Sequence, residues 1–162
     1  MPKKGTIAAM LQRVQKINLE EIAGPIFDKN TEKIKQYNIA QLMQGKNNKG
    51  ELLSPRHSDN PFFKSRESAL RYAGWKKKLY PETPFDIPNL KITGLTHDEL
   101  SFKRKGSIVM ADSAVPWAPN IAKTYSDTAF GLDKNSLNLV FVEVLRAPMG
   151  RELARRIGCD WG

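Results

Sequence analysis

The spacing of apolar side chains divides the chain into helices, a β-rich middle and helices again. Leu19, Ile22, Ala23, Ile26 and Phe27 fall at i, i+3, i+4, i+7 and i+8, which places them on one face of an α-helix. Asn18 just before them, with Glu21 three positions on, is a capping-box-like start. Ile34, Tyr37 and Ala40 roughly continue the face, and Gly45 is a natural stop because glycine accepts the left-handed conformation that ends helices. Gly24-Pro25 predicts a kink or break inside this run, since proline loses a helix hydrogen bond and crowds the previous turn. Residues 6–16 read as a separate short helix or a mobile arm.

Lys46 to Gly50 is a polar loop, Glu51-Leu52-Leu53 a short strand or extended chain, and Ser54 to Asn60 is turn-rich. A second helix opens at Asn60-Pro61 or Ser65 and runs to about Leu79, with Tyr72, Trp75 and Leu79 at i, i+3 and i+7. Lys76, Lys77 and Lys78 crowd its last turn, where positive charge suits the negative end of the helix dipole. Pro81, Pro84 and Pro88 forbid regular structure, and Leu90-Lys91-Ile92 reads as extended. Glu99 to Lys103 alternates polar and apolar, Arg104-Lys105-Gly106 makes a turn, and Ser107 to Met110 returns: a hairpin with one buried face. Pro116 to Pro119 breaks the chain, and Ile121 to Ser126 holds one or two helical turns. Leu137, Val140, Phe141, Val144 and Leu145 have helical spacing, though their β-branched and aromatic character keeps a strand open. Pro148 suits the first turn of a last helix, which runs to Ile157 and ends at Gly158.

Composition narrows the class. The length of 162 residues suits one domain, and 40% apolar content is far above that of a disordered chain. The net charge of +9 draws polyanions and acidic protein surfaces. The single cysteine, Cys159, cannot form an internal disulfide, which points to a reducing cytoplasm. No apolar stretch approaches the roughly 18 residues of a membrane span. The apolar run Ile7 to Met10 is too short for a secretory signal and is broken by Gln12 and Arg13.

Catalytic and metal signatures are missing. His57 and His97 have no partner at a persuasive metal-ligand spacing, and no nucleophile elbow, zinc-protease pair or complete phosphate loop is present. Asp112, Asp127 and Asp133 are scattered carboxylates of the kind a Mg²⁺ nuclease uses, and they leave an enzyme as the weakest reading. Three basic clusters remain: Lys64, Arg66, Arg71 and Lys76 to Lys78; Lys103, Arg104 and Lys105; and Arg146, Arg151, Arg155 and Arg156. The candidate interface or DNA-facing residues are Lys76, Lys77, Lys78, Lys103, Arg104, Lys105, Arg151, Arg155, Arg156 and Trp161. Nothing matches a base-reading motif, so only non-specific phosphate contact has support. Trp75 and Trp117 read as core or interface anchors, and Trp161 as a residue that docks on a neighbour or folds back on its own domain.

The order of segments resembles the tail-completion (virion morphogenesis) proteins of long-tailed bacteriophages. Leu90-Lys91-Ile92-Thr93-Gly94-Leu95 is similar to their "L-x-x-(S/T)-G-x-L" element, with Leu directly after Gly. Phe62 to Tyr72 followed by Trp75-Lys76 resembles the segment before it, and Tyr125 through Phe130-Gly131-Leu132 the aromatic-to-Gly stretch before the closing helix. Their Arg-Pro-Phe-type element has only Arg146-Ala147-Pro148 in its place. The resemblance covers about residues 18–157. It implies a virion part of the head–tail junction or tail end, assembled as a ring on portal, neck or tail subunits, with no cofactor. It places the protein in the virion, and in the host cytoplasm during assembly.

The expected fold is α+β, with a long N-terminal helix and a C-terminal helix packed on a small antiparallel β-sheet. Residues 1–17 form an arm or short helix, 18–157 a single domain and 158–162 a tail. The expected function is structural and non-enzymatic, as a homo-oligomer without metal or membrane. Non-specific contact with packaged DNA is compatible with the charge. The alternative is a DNA-binding accessory protein for packaging or regulation.

Overall fold

The computed structural model describes residues 7–91 and 94–159. The fold is α+β: helices surround one two-stranded antiparallel sheet. In chain order come α1 (Ile7–Val14), α2 (Leu19–Lys29), α3 (Thr31–Met43), α4 (Arg66–Leu79), α5 (Leu95–Asp98), β1 (Leu100–Lys105), β2 (Ile108–Ser113), α6 (Ala118–Tyr125), α7 (Lys134–Val140) and α8 (Arg146–Ile157). A single π-turn, Phe141–Leu145, joins α7 to α8.

The long N-terminal helix is two helices, and the break is not at Gly24-Pro25. α2 runs straight through Pro25, which is exposed, and ends at Asn30. There the backbone N–H of Asn30 donates to Phe27 O at 2.9 Å, and its side-chain amide donates to Ile26 O at 2.7 Å. Asn30 therefore supplies the Ile26 carbonyl with the donor that a continuing helix would have provided. The Asn30 carbonyl then accepts from Ile34 N and opens α3. At the other end, Asn18 accepts from Glu20 N, as the sequence pattern predicts for a cap.

Two apolar clusters hold the elements together. Phe27, Ile34, Phe102, Val140 and Val144 join α2 and α3 to β1 and the α7–π segment. Leu42, Leu53, Leu100, Ile121 and Ala129 join α3 to β1 and α6. In the hairpin, Phe102 pairs with Ala111 and Leu100 with Ser113 on the inner face, and Gly106, at φ 63°, starts the two-residue turn. The turn lies slightly later than the alternation predicts, and Ile108 and Met110 sit exposed on the outer face. α8 packs on α1 and α2, so the C-terminal helix reaches the sheet through its helical neighbours.

The stretch from Leu137 to Leu145 is helical, which resolves the strand alternative. Its π-turn is closed by the Arg146 N–H donating to Phe141 O. The widened turn directly precedes Pro148, which cannot donate to the Val144 carbonyl. Polar side chains fasten the irregular segments to α3. Gln41 Nε2 donates to Asn47 O (2.8 Å) and Gly131 O (3.0 Å), while its Oε1 accepts from Asp133 N at 2.8 Å. Asn38 Nδ2 also donates to Gly131 O, at 2.7 Å. Leu90 has φ 56°, so the chain bends there and is not extended, and Ile92 and Thr93 of the Leu90–Leu95 signature lie outside the described residues.

Candidate functional site

The sequence places Tyr72, Trp75 and Leu79 on the buried stripe of α4, but the helix is rotated from that expectation. Ala69, Ala73 and Lys76 face inward, and Trp75 and Leu79 are about half exposed. Two alanines let the backbone approach the irregular chain that follows, and Lys76 is carried in with them. Ser65 fixes the start of this helix through a reciprocal box: Ser68 N donates to its Oγ and Ser65 N to Ser68 Oγ, each at 3.2 Å.

Lys76 is a buried amine and not an outward charge, which corrects its place among the surface-facing candidates. Only 5% of it is exposed. Its Nζ donates to Asn89 Oδ1 and to the Lys91 carbonyl. Burial, helped by the neighbouring Lys91 charge, pushes it down to about 8. Asn89 is fully enclosed: Nδ2 donates to Thr83 Oγ1 (2.8 Å), Thr83 Oγ1 donates to Met43 O (2.7 Å), and Asn89 O meets His97 Nε2 (2.9 Å). This chain of bonds joins the end of α3 to α4 and α5.

Beside Lys76 opens a cavity of about 950 Å³ between the 3₁₀ turn His57–Asp59, α4 and α6. Phe63, Tyr72, Trp117 and Tyr125 form much of its wall. The rings pack on each other: His57 meets Tyr72 edge-on at 5.0 Å, Phe63 lies 5.2 Å from Tyr72, and Tyr72 lies 5.7 Å from Trp75. Trp117 Nε1 donates to Thr96 Oγ1 at 3.1 Å, and Asn60 Nδ2 donates to Tyr125 Oη at 3.1 Å. His57 is 6% exposed, and its Nε2 has no hydrogen-bond partner. Burial pushes its imidazole down to about 4; the Lys76 charge acts in the same direction and Asp86 opposes it. Asp86, at φ 67°, holds this turn: His57 N donates to Asp86 O (3.0 Å), and Ser58 N and Oγ donate to its carboxylate (2.9 and 2.6 Å).

The other candidate residues do not gather in one place. Lys77 is exposed, but its Nζ donates to the Pro81 and Thr83 carbonyls. Lys78, Lys103, Lys105 and Arg151 are exposed. Arg104 lies flat over Gly24 and grips α2, with Nη2 3.0 Å from Asp28 Oδ2 and Nη1 3.7 Å from Glu20 Oε1. Arg155 pairs with Glu152 at 2.6 Å, and Arg156 with Glu152 at 2.9 Å and Glu21 at 3.4 Å. Arg104, Arg155 and Arg156 are thus committed to acids of the same chain. Trp161 lies outside the described residues. Among the described residues no cluster of His, Cys, Asp and Glu could hold a metal ion, and no helix is long and apolar enough to cross a membrane.

A second feature lies on the outside. Leu137 and Phe141 are 53% and 50% exposed, and Leu139 and Val142 are nearly as open, while Val140 and Val144 of the same segment are buried in the core. The α7–π segment therefore carries apolar side chains on its solvent side as well as in the core, interspersed with the exposed polar residues Asn135, Asn138 and Glu143. Sequence reasoning missed the cavity because its walls come from stretches far apart in the chain, such as Asn60 and Tyr125, 65 residues apart. The signal that was present is the density of aromatics in Phe62, Phe63, Tyr72 and Trp75. Comparison with protein-family models, with curated proteins and with solved structures found no match to this chain.

Proposed function

We propose that the chain is a structural, non-enzymatic subunit that assembles on copies of itself and on other proteins, in the manner of a bacteriophage neck or tail-completion protein. The observation that carries the assembly reading is the outward apolar face of the α7–π segment, with Leu137 and Phe141 about half exposed. Exposed apolar patches commonly mark protein interfaces. The pattern of segments from 18 to 157 supplies the virion part of the reading. Head-to-tail contacts between two different surfaces close into rings, and the basic outer residues Lys78, Lys103, Lys105 and Arg151 suit acidic partners or packaged DNA.

Electron microscopy of the purified chain, alone and mixed with portal and tail subunits of a long-tailed phage, tests the proposal. Closed rings, or density for the chain at the junction, are the expected result. Particles that stay single and unattached contradict it. If instead the chain binds free duplex, with affinity falling steeply as salt rises, the DNA-binding accessory reading takes its place.

A further inference from the structure

We propose that the cavity between the His57 turn, α4 and α6 is a binding site for a flat aromatic molecule that carries one carboxylate. Its volume of about 950 Å³ lies within the range of small-molecule pockets. The wall offers ring faces and edges from Phe63, Tyr72, Trp117 and Tyr125, which favour a planar guest. Its charge is one-sided: Lys76 lies in the wall and Lys123 is exposed, and among the described residues no aspartate or glutamate lines the space.

Two donors define the anion. An ammonium has three N–H groups, and Asn89 Oδ1 and Lys91 O take two of those of Lys76. His57 Nε2 is a buried group without a partner, a condition that is costly until an acceptor or donor meets it. His97 Nδ1 and Asn38 Oδ1 also lack partners, but neither residue lines this cavity. His57 and Lys76 both line the cavity and both meet Tyr72, with His57 5.0 Å and Lys76 Nζ 5.9 Å from its ring centroid, and Lys76 Nζ also lies 5.5 Å from the Tyr80 ring. A carboxylate in the cavity can accept from the remaining ammonium N–H or from an imidazole N–H of His57. A dianionic phosphate needs more donors and more charge than this pair supplies. A bound carboxylate also favours the protonated form of Lys76, which burial disfavours.

The site is tested by amide NMR titration of the intact chain with three probes of one shape: β-naphthoate, β-naphthylmethanol and β-naphthylmethylammonium. The acid is expected to bind saturably, about tenfold or more tighter than the alcohol, with shifts concentrated at Tyr72, Thr96, Trp117 and Tyr125. The ammonium probe is expected to bind more weakly than the alcohol. Lys76→Met is expected to bring acid and alcohol to about equal affinity while the alcohol still binds. Should that variant fail to fold, Thr124→Trp, at an exposed position of α6 that lines the cavity, is expected to abolish binding of both. The inference is overturned if the acid produces no saturable shifts by about 1 mM, a weak-binding limit near 4 kcal/mol. It is equally overturned if acid and ammonium bind alike, or if the shifts survive Thr124→Trp.

Discussion

Single side chains decide how the charge of this protein is spent. Of the residues that make the chain basic, Lys76 is internal, and Arg104, Arg155 and Arg156 answer acids of the same chain. Arg104 sits over Gly24 because a side chain there would meet its guanidinium at 2.6 Å. Replacing Arg104 by Ala removes a partly exposed pair and is expected to lower the urea midpoint only slightly. Replacing Gly24 by Ala is expected to displace the flexible end of Arg104 and so to cost no more than Arg104→Ala, since alanine also favours the helix. The buried imidazole of His57 gives a pH dependence with a definite sign. Its folded value, about 4, lies below the ordinary 6.5, so the unfolded chain binds more protons between them. Stability from this group is present in full above about pH 6.5 and is lost as pH falls to about 4, by on the order of 2–3 kcal/mol. Thermal unfolding followed across that window in the wild type and in His57→Phe checks this: the variant should show the smaller loss.

Among the elements, the breaks and caps matter more than the runs. Asn30→Ala removes the side-chain donor to the Ile26 carbonyl and is expected to cost about 1 kcal/mol, read from the denaturation midpoint. Gly131 has φ 105° and lies against Asn48, so Gly131→Ala strains the backbone and is expected to cost about 1–3 kcal/mol. Much of this level was legible beforehand. The Asn18 cap, the Ser65 start of α4, the hairpin, and the stop at Gly158 in the left-handed conformation all follow from local residue chemistry. The position of the helix break was not legible, because Gly24-Pro25 is the stronger local breaker and only the Asn30 side chain decides otherwise. The rotation of α4 was equally hidden. A lysine turns inward only where another segment supplies acceptors, and those are Asn89 and Lys91, at least thirteen residues away.

At the scale of the molecule, two places among the described residues bear on function. One is the cavity, where a buried ammonium and an unpartnered imidazole face aromatic walls. Neither the cavity nor its polar pair could be read from the sequence, since His57 and Lys76 belong to segments joined only by tertiary contacts. The other is the outer side of the α7–π segment. Its helical spacing was visible, but periodicity does not tell which apolar residues stay uncovered. The assembly reading depends on this face being covered by protein in the working state.

Sedimentation equilibrium over a range of concentrations, comparing the wild type with Leu137→Asp/Phe141→Asp, tests that dependence most directly. Both substituted positions are about half exposed, so the folded chain tolerates the change, and circular dichroism should be unaltered. The wild type is expected to associate as concentration rises, and the variant to remain monomeric. A wild type that stays monomeric throughout, or a variant that associates as strongly, contradicts the account.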